Sequence, residues 1–301
     1  MRRTAIAALL VGGLLVTACG DDDEETADTP ADSAAPVDTA GAGDSSPPAD
    51  SGGACADDKT LVPGEITIAT GEPAFPPYVI DDAPETGEGF EAAVAMAVAR
   101  EMGFEGDAVT WIRTTFDAAI QPGPKDFDFN LQQYTITPDR AEFVSFSDPY
   151  YTAAQAIFGL ADAPAADATT IADLQGLKIG VQASTTSLTY VEDVIQPTEA
   201  PLVFNDNAAA KQALDGNQID AIVADLPTAL FITAVEMEGT AVYGQIEGSG
   251  TDQFGLLLEK DSPLVECANT ALAALTDSGE LKEITDQWLV TEGVAPVIEV
   301  G

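Results

Sequence analysis

The chain has 301 residues, of which 51 are acidic and 11 basic, so its formal net charge at pH 7 is -40. This charge argues against nucleic acids and anionic membrane surfaces as partners, because both repel an acidic protein. The chain has no histidine and only three cysteines, with no CxxC motif, and we therefore expect neither a metal site nor a cofactor. Its length is sufficient for two lobes.

The N-terminus has the features of a signal peptide over residues 1–18. Arg2 and Arg3 form a basic start, and the apolar run that follows to Val16 is too short to be a good membrane span. The sequence before Cys19 resembles a bacterial lipobox, which predicts that Cys19 is lipidated and becomes the mature N-terminus. The protein would then be membrane-anchored outside the cytoplasm, at the outer face of the cytoplasmic membrane or in the periplasm. The alternative is an ordinary secretory cleavage site with a chance cysteine.

Residues 19–54 are predicted to be the lipid anchor and a disordered acidic tether. The segment after Cys19 carries ten acidic residues and no aromatic or basic residue, so it cannot bury a core.

Cys55 and Cys267 remain after Cys19. Because an exported protein occupies an oxidising compartment, an even remainder favours a Cys55–Cys267 disulfide. Two free buried thiols are the alternative.

The folded region begins with a predicted strand at 65–69 and a rigid loop at 70–78. The loop contains three prolines and a glycine, which forbid regular structure. Open α/β sheets place ligands beside such loops, at the carboxyl ends of strands. Phe75 and Tyr78 can each be a binding platform or part of the core; we favour a platform for Phe75 and core for Tyr78.

Strands and helices alternate along the rest of the chain, which indicates an α/β fold with a mostly parallel sheet. A stripe of apolar residues every four positions predicts a helix over 90–102, ended by Gly103. An Ala/Asp/Pro-rich break at 161–170 separates two sets of elements. The tail at 290–301 is expected to be loosely held. Predicted strands lie at 109–112, 127–131, 153–160, 177–181, 201–204, 219–223 and 253–258.

The segment 134–151 contains the first candidate site. Thr137-Pro138-Asp139 is typical of a helix start, with a capping hydroxyl, Pro at the first position and an acid in the first turn. This start brings Arg140 close to Thr135. A guanidinium and a hydroxyl that converge on one point suit a carboxylate.

Seven fragments together resemble a known family. The residues that carry the resemblance are FPPY at 75–78, GFEAAVAMAVAREMGF at 89–104, TITPDR at 135–140, FSDPYY at 146–151, IADLQGLKIGVQASTTS at 171–187, ALDGNQIDAIVADLPTA at 213–229 and FGLLLEKDSPL at 254–264. They occur in the order found in the solute-binding proteins of polar amino-acid ABC transporters (bacterial extracellular solute-binding family 3). The resemblance covers residues 61 to 290.

The resemblance implies a two-lobe clamshell of the type II periplasmic-binding-protein kind, in which each lobe is a mixed sheet flanked by helices. Lobe 1 would comprise 56–159 plus 251–301, and lobe 2 would comprise 160–250. Two crossing strands, near 157–161 and 249–253, would form the hinge. The ligand would lie in the cleft, and a membrane permease would recognise the closed form.

The resemblance also implies a set of ligand-binding residues. Arg140 and Thr135 would hold the α-carboxylate with the loop that carries Thr185 and Thr186, and Asp225 would hold the ammonium. Phe75 and Phe116 would sandwich the ligand, while Glu72 and Gln182 would line its side-chain pocket. The carbonyl of Gln133 would help to hold the ammonium, although Gln132-Gln133 replaces the small residues usual before the TIT motif.

Each of these residues also has a purely structural interpretation. The threonines and Asp225 can be helix caps, and the two phenylalanines can be core. Glu72 can be a solvated charge. Arg140 can be paired with Asp139 or Asp148.

The implied function is binding of a polar amino acid by a monomeric component of an ABC importer, without catalysis. One alternative is an enzyme on the same clamshell, similar to cyclohexadienyl dehydratase, in which a carboxyl such as Glu72 would be the general acid. Another is a ligand-sensing lobe for a signalling partner. The ligand stays open: Glu72 suits a cationic side chain, whereas Gln132, Gln133 and Gln182 suit a polar or acidic one.

Overall fold

A computed structural model describes residues 53–56, 58–289 and 295–300. The predicted signal peptide, Cys19 and the tether up to residue 52 lie outside these residues. The last two residues assigned to the tether begin a short helix, Gly53–Ala56, so the predicted boundary at 54 is too late. No helix in the described part of the chain has the length and apolar character that a bilayer span requires.

Helices and strands alternate along much of the chain. The strands are β1 (Ile66–Gly71), β2 (Val109–Thr114), β3 (Phe129–Asn130), β4 (Val144–Ala153), β5 (Gln155–Leu160), β6 (Ile179–Gln182), β7 (Leu202–Phe204), β8 (Ala221–Asp225), β9 (Thr240–Ile246), β10 (Asp252–Glu259) and β11 (Val297–Ile298). The α-helices are α1 (Gly53–Ala56), α2 (Phe90–Glu101), α3 (Phe116–Ile120), α4 (Pro138–Ala141), α5 (Thr186–Tyr190), α6 (Asn207–Asp215), α7 (Leu226–Phe231), α8 (Val265–Ser278) and α9 (Glu280–Trp288).

Two mixed sheets form the two lobes of a clamshell. Lobe 1 contains the sheet β2-β1-β3-β10-β4, in which β1, β2 and β3 are parallel and β10 is antiparallel to both of its neighbours. Lobe 2 contains the sheet β11-β9-β5-β8-β6-β7. There β6 is parallel to β7 and β8, while β5 is antiparallel to β8 and β9. The expected fold, with a mixed sheet in each lobe, is confirmed.

The chain crosses between the lobes twice, which corrects the predicted lobe boundaries. The first crossing is at residue 154, because β4 belongs to lobe 1 and β5 to lobe 2. Residues 155–159 therefore belong to lobe 2 and not to lobe 1. The return crossing occupies residues 247–251, between β9 and β10. Apolar strands look alike on either side of such a crossing, and only their pairing distinguishes them.

The C-terminal tail is also placed differently from the expectation. Strand β11 pairs with β9 in lobe 2, through Val297 opposite Gln245 and Ile298 opposite Ile246. Ile298 is fully buried in the core of that lobe. The described end of the tail is thus neither loosely held nor part of lobe 1.

Helix α2 provides much of the lobe 1 core. Its stripe Phe90, Val94 and Val98, continued by Met102, is fully or almost fully buried. Helices α8 and α9 pack against it. Gly103 follows the helix with a φ of 94°, a conformation that glycine adopts without steric cost.

The Cys55–Cys267 disulfide is present and joins the start of the folded region to α8 across a sequence separation of 212 residues. Cys267 is buried in the lobe 1 core, and Cys55 packs against that core. The disulfide thus ties the region where the tether would enter to the lobe 1 core.

We expect the double substitution of Cys55→Ser and Cys267→Ser to lower the free energy of unfolding by about 2–5 kcal/mol, because the bridge closes a long loop in the unfolded chain. Urea unfolding with and without reductant measures this. Reductant should destabilise the wild type to a similar degree and leave the double variant unchanged. A wild type that is insensitive to complete reduction would contradict the expectation.

Candidate functional site

A cavity of about 280 Å³ lies between the lobes. Its wall combines the loop after β1 and the segment before α4, both in lobe 1, with the starts of α5, α6 and α7 in lobe 2. All ten residues predicted to contact the ligand line this cavity: Glu72, Phe75, Phe116, Gln133, Thr135, Arg140, Gln182, Thr185, Thr186 and Asp225. Residues separated by up to 153 positions are thus brought to one place.

Arg140 is the one basic residue in the described cavity wall. Thr137 caps the start of α4, with its hydroxyl accepting from the Arg140 backbone N–H at 3.2 Å, as the helix-start motif predicts. The guanidinium donates to the carbonyl of Thr135 in lobe 1 at 2.7 Å and to that of Ser184 in lobe 2 at 2.9 Å. Among the described residues it has no carboxylate within 4.0 Å. The alternative pairing with Asp139 or Asp148 is therefore not formed.

Phe116 supports the guanidinium from one side. The Arg140 Cζ lies 5.3 Å from the centre of the Phe116 ring, and that ring stacks on Tyr134 with centres 4.8 Å apart. Phe116 is only 8% exposed, so it is both core and cavity wall. Burial lowers the pKa of Arg140 from its ordinary value, although Tyr134 and two acidic side chains act in the opposite direction.

The two threonines at the start of α5 have different partners. Thr185 is the helix cap: its hydroxyl accepts from the Leu188 N–H and donates to the Gln182 carbonyl. The Thr186 hydroxyl is not a cap. It donates to Asp252 at 2.9 Å and lies 3.4 Å from the hydroxyl of Thr135 across the cleft.

Asp225 stands at the capping position of α7, but its side chain makes no capping hydrogen bond. Its carboxylate instead accepts from the side-chain amide of Gln155 at 2.8 Å and faces the cavity. Burial is the main factor that raises the pKa of Asp225 to about 7. Asp252 raises it further, while Gln155 and Arg140 act against the shift. The structural interpretation as a plain cap therefore does not hold.

A buried glutamate for which the sequence predicts no role, Glu91, lies behind Gln133. Glu91 is 2% exposed and accepts from the Gln133 backbone N–H at 2.7 Å, from the Gln133 side chain and from the Tyr150 hydroxyl. These bonds hold Gln133 at a φ of 52°, which non-glycine residues rarely adopt. Burial raises the pKa of Glu91 to about 7, against the effect of its hydrogen bonds.

The wall also carries further acidic side chains. Glu72 and Asp117 are exposed at the cavity, whereas Asp206 caps α6 by accepting from the Ala209 N–H. Phe75 is half-buried, and the Lys211 ammonium lies 5.9 Å from the centre of its ring. Within the described residues, no three or more Cys, Asp or Glu side chains are grouped so as to hold a metal ion.

Hydrogen bonds bridge the two lobes around the cavity. Besides the bond from Arg140 to Ser184, the hydroxyl of Tyr78 lies 3.1 Å from that of Thr228. Tyr78 is 2% exposed, so it is core as predicted, yet its hydroxyl reaches lobe 2. The cavity is thus largely closed over by both lobes.

Three polar residues of this region had no predicted role: Glu91, Gln155 and Asp252. Gln155 is the one polar residue in the apolar strand β5, and Glu91 is the only acid in the apolar first half of α2. Both stand out in their patterns for that reason. Nothing comparable distinguishes Asp252 among the many acids of this chain.

We expect Glu91 to make the ligand-free protein more stable in mild acid. Its pKa of about 7 in the folded protein lies above the 4.5 of the unfolded chain. Its contribution is therefore full below pH 4.5 and is lost as the pH rises through 7, by about 1.4 kcal/mol per pH unit between these values.

Chemical unfolding of the wild type and of Glu91→Gln at pH values from 4.5 to 8 measures this contribution. The variant should show a smaller loss of stability with rising pH, because glutamine stays neutral. Glu85→Gln, a change of a glutamate at the exposed surface, is the control and should keep the wild-type pH dependence. Equal pH dependence in all three proteins would contradict the expectation.

The model of one protein family matches residues 66–291, which is most of the chain: bacterial extracellular solute-binding proteins, family 3. Similarity to bacterial amino-acid-binding proteins supports the match. The chain is 29% identical over 227 residues to ABC transporter arginine-binding protein 1 of Escherichia coli (strain K12), and the match covers 71% of this chain and 86% of the relative.

Solved structures give the same result. An ancestral arginine-binding protein bound to arginine is 29% identical, with a TM-score of 0.63 and coverage of 75% of this chain and 98% of that structure. An ancestral amino acid-binding protein described as a precursor of cyclohexadienyl dehydratase is 28% identical, with a TM-score of 0.63 and coverage of 75% and 96%. The chain thus belongs to the bacterial extracellular solute-binding proteins, family 3, and is an extracytoplasmic solute-binding protein.

Proposed function

We propose that this protein binds a cationic amino acid, arginine foremost, and delivers it to the permease of an ABC importer. The observation that carries the proposal is the composition of the cavity wall, which contains one basic residue, Arg140, and five acidic residues: Glu72, Glu91, Asp117, Asp206 and Asp225. A zwitterion would pair with Arg140 and Asp225 and leave the excess of negative charge unmatched. A positively charged side chain on the ligand reduces that excess.

The carboxylate of the ligand would bind at Arg140. A mostly buried guanidinium without a carboxylate partner is costly, and an anion from outside the protein can supply the missing charge. The hydroxyls of Thr135 and Thr186, 3.4 Å apart, lie in the same part of the cavity. Because the Thr186 hydroxyl already donates its hydrogen to Asp252, the wall offers the guanidinium of Arg140 and the hydroxyl of Thr135 to a carboxylate. A guanidinium suits bidentate binding of both carboxylate oxygens.

The ammonium of the ligand would bind at Asp225, whose side chain is free of a capping role. The Gln133 carbonyl would assist it, since Glu91 fixes the backbone at that position.

Glu72 and Asp117 are placed at the exposed part of the wall, where they would accept hydrogen bonds from the charged end of the ligand side chain. Phe75 and Phe116 would cover its apolar stem. The arginine-binding relatives support this ligand class.

We expect calorimetric titration with the common amino acids to show the tightest binding for arginine and weak or no binding for glutamate. Arg140→Ala should reduce the affinity for arginine by at least about 3 kcal/mol, because it leaves the ligand carboxylate buried and unpaired. Arg100→Ala is the matched control: Arg100 pairs with Glu280 at the exposed surface and should not affect binding. Preferential binding of an acidic amino acid would overturn the proposal.

The binding role excludes turnover. The ligand should be recovered unchanged after prolonged incubation. Formation of a product from prephenate-like or arogenate-like compounds would instead favour the clamshell enzyme. The similarity to the ancestral precursor of cyclohexadienyl dehydratase raises this possibility.

We further propose that lipidated Cys19 anchors the protein outside the cytoplasm and that the protein works as a monomer, since both sides of the cavity come from one chain. We expect Cys19→Ala to move the protein from the membrane fraction to the soluble extracytoplasmic fraction, because a lipid anchor supplies the membrane affinity. Fractionation followed by immunoblotting measures this, with Ser45→Ala in the predicted tether as the control. Retention of Cys19→Ala in the membrane fraction would contradict the lipid anchor.

A further inference from the structure

Gln155 occupies a special place in the fold. It is the first residue of β5, directly after the first crossing between the lobes, and it is fully buried. Its backbone N–H donates to the hydroxyl of Ser249, in the return crossing, at 2.9 Å. Gln155 therefore joins the two crossings, although it does not itself line the cavity.

The side chain of Gln155 has all of its polar atoms engaged. Its amide nitrogen donates to Asp225 at 2.8 Å and to Asp252 at 2.7 Å, while its amide oxygen accepts from the Ser187 hydroxyl at 2.6 Å. Among the described residues, this amide is the one hydrogen-bond donor to the Asp225 side chain. The bond from Ser187 also fixes which end of the amide faces the two carboxylates.

The two carboxylates that share this amide come from different lobes. Asp225 ends β8 in lobe 2 and faces the cavity, whereas Asp252 begins β10 in lobe 1 and is 5% exposed. Asp252 also accepts from the hydroxyl of Thr186 at the other side of the cleft. A continuous set of hydrogen bonds therefore connects the predicted ammonium site to the hinge and to the predicted carboxylate site.

The surroundings make the orientation of Asp225 consequential. The ionisable groups that face it are Asp252 on β10, Arg140 on α4, Glu91 on α2, Tyr78 in the loop after β1 and Tyr151 on β4. Burial and the charge of Asp252 raise the pKa of Asp225, and the hydrogen bond from Gln155 is one of the few influences that favour its ionised form. A ligand ammonium needs that ionised form.

We propose that Gln155 is a positioning residue for recognition of the ligand's amino group: it aims Asp225 at the ammonium and ties Asp225 to the hinge carboxylate Asp252. This inference rests on the proposed function only in that the ligand is an α-amino acid. The inference adds two residues to the amino-group site. One is Gln155, which does not contact the ligand, and the other is the hinge carboxylate Asp252. A merely structural role would affect all ligands alike, and this difference provides the test.

The experiment compares wild type with Gln155→Met, which keeps the length of the side chain but removes its donors. The ligands are arginine and 5-guanidinopentanoate, which is arginine without the α-amino group. Gln155→Met should weaken arginine binding at least tenfold and weaken binding of the deamino compound less than threefold. Gln175→Met is the matched control, since Gln175 bonds to the Ile195 carbonyl in lobe 2, away from the cavity, and both affinities should be unchanged.

The pH profile of arginine binding gives an independent readout. Binding by the wild type should weaken as the pH falls through about 7, because Asp225 becomes protonated. In Gln155→Met the midpoint should move to higher pH, because a donor to the ionised carboxylate has been removed. In Asp252→Asn it should move to lower pH, because a neighbouring negative charge has been removed. If Gln155→Met does not fold, as judged by circular dichroism, Gln155→Asn takes its place: its amide is one methylene too short to keep the bond to Asp225, so its midpoint should also move to higher pH.

The outcomes separate the two hypotheses. If the wild type and Gln175→Met bind no amino acid, the proposed function fails. If they bind arginine but Gln155→Met shows the same affinity and midpoint, or an equal loss for both ligands, the positioning role is overturned. Unchanged midpoints in Asp252→Asn would remove Asp252 from the proposal.

Discussion

The structure depends on one mostly buried cation that, within the described part of the chain, has no carboxylate within 4.0 Å. The guanidinium of Arg140 is held by a carbonyl from each lobe and rests on the ring of Phe116. Carbonyl dipoles compensate only part of the cost of burying a charge, and the remainder favours an anion from outside. Because one of these carbonyls belongs to Ser184 in lobe 2, the side chain that we propose as the carboxylate site also connects the two lobes.

The negative charge of the cavity complements that cation. Two of its acids, Glu91 and Asp225, have pKa values raised to about 7 by burial, and both are held in place by amide side chains. Buried acids of this kind are unfavourable until a cation arrives, which makes an ammonium a preferred ligand group. The acids at the exposed part of the wall extend the same preference to the ligand side chain. In the proposed function, specificity for charge comes from an arrangement that is unfavourable when empty.

Hydrogen bonds connect the hinge to the cavity. Gln155 follows the first crossing, Ser249 lies in the second, and Asp252 begins the strand after it. Their hydrogen bonds reach Asp225 and Thr186 on the cavity wall. A change in the distance between the lobes must alter these bonds, because their partners lie on both sides. The predicted ammonium site is thus connected by hydrogen bonds to the position where the chain changes lobes.

The sequence by itself determined what short segments encode. The helix start at Thr137 predicted the position of Arg140. The family motifs identified the fold and the ten candidate residues, all of which line one cavity. Cysteine parity predicted the disulfide. Tertiary structure alone decided the lobe membership of residues 155–159 and 297–298, since apolar strands do not specify their sheet. It also decided the partners of Gln155 and Asp252. Gln155 and Asp252 lie 97 residues apart in the sequence. The Gln155 amide can donate to one carboxylate from each lobe only because the two lobes are adjacent at this position.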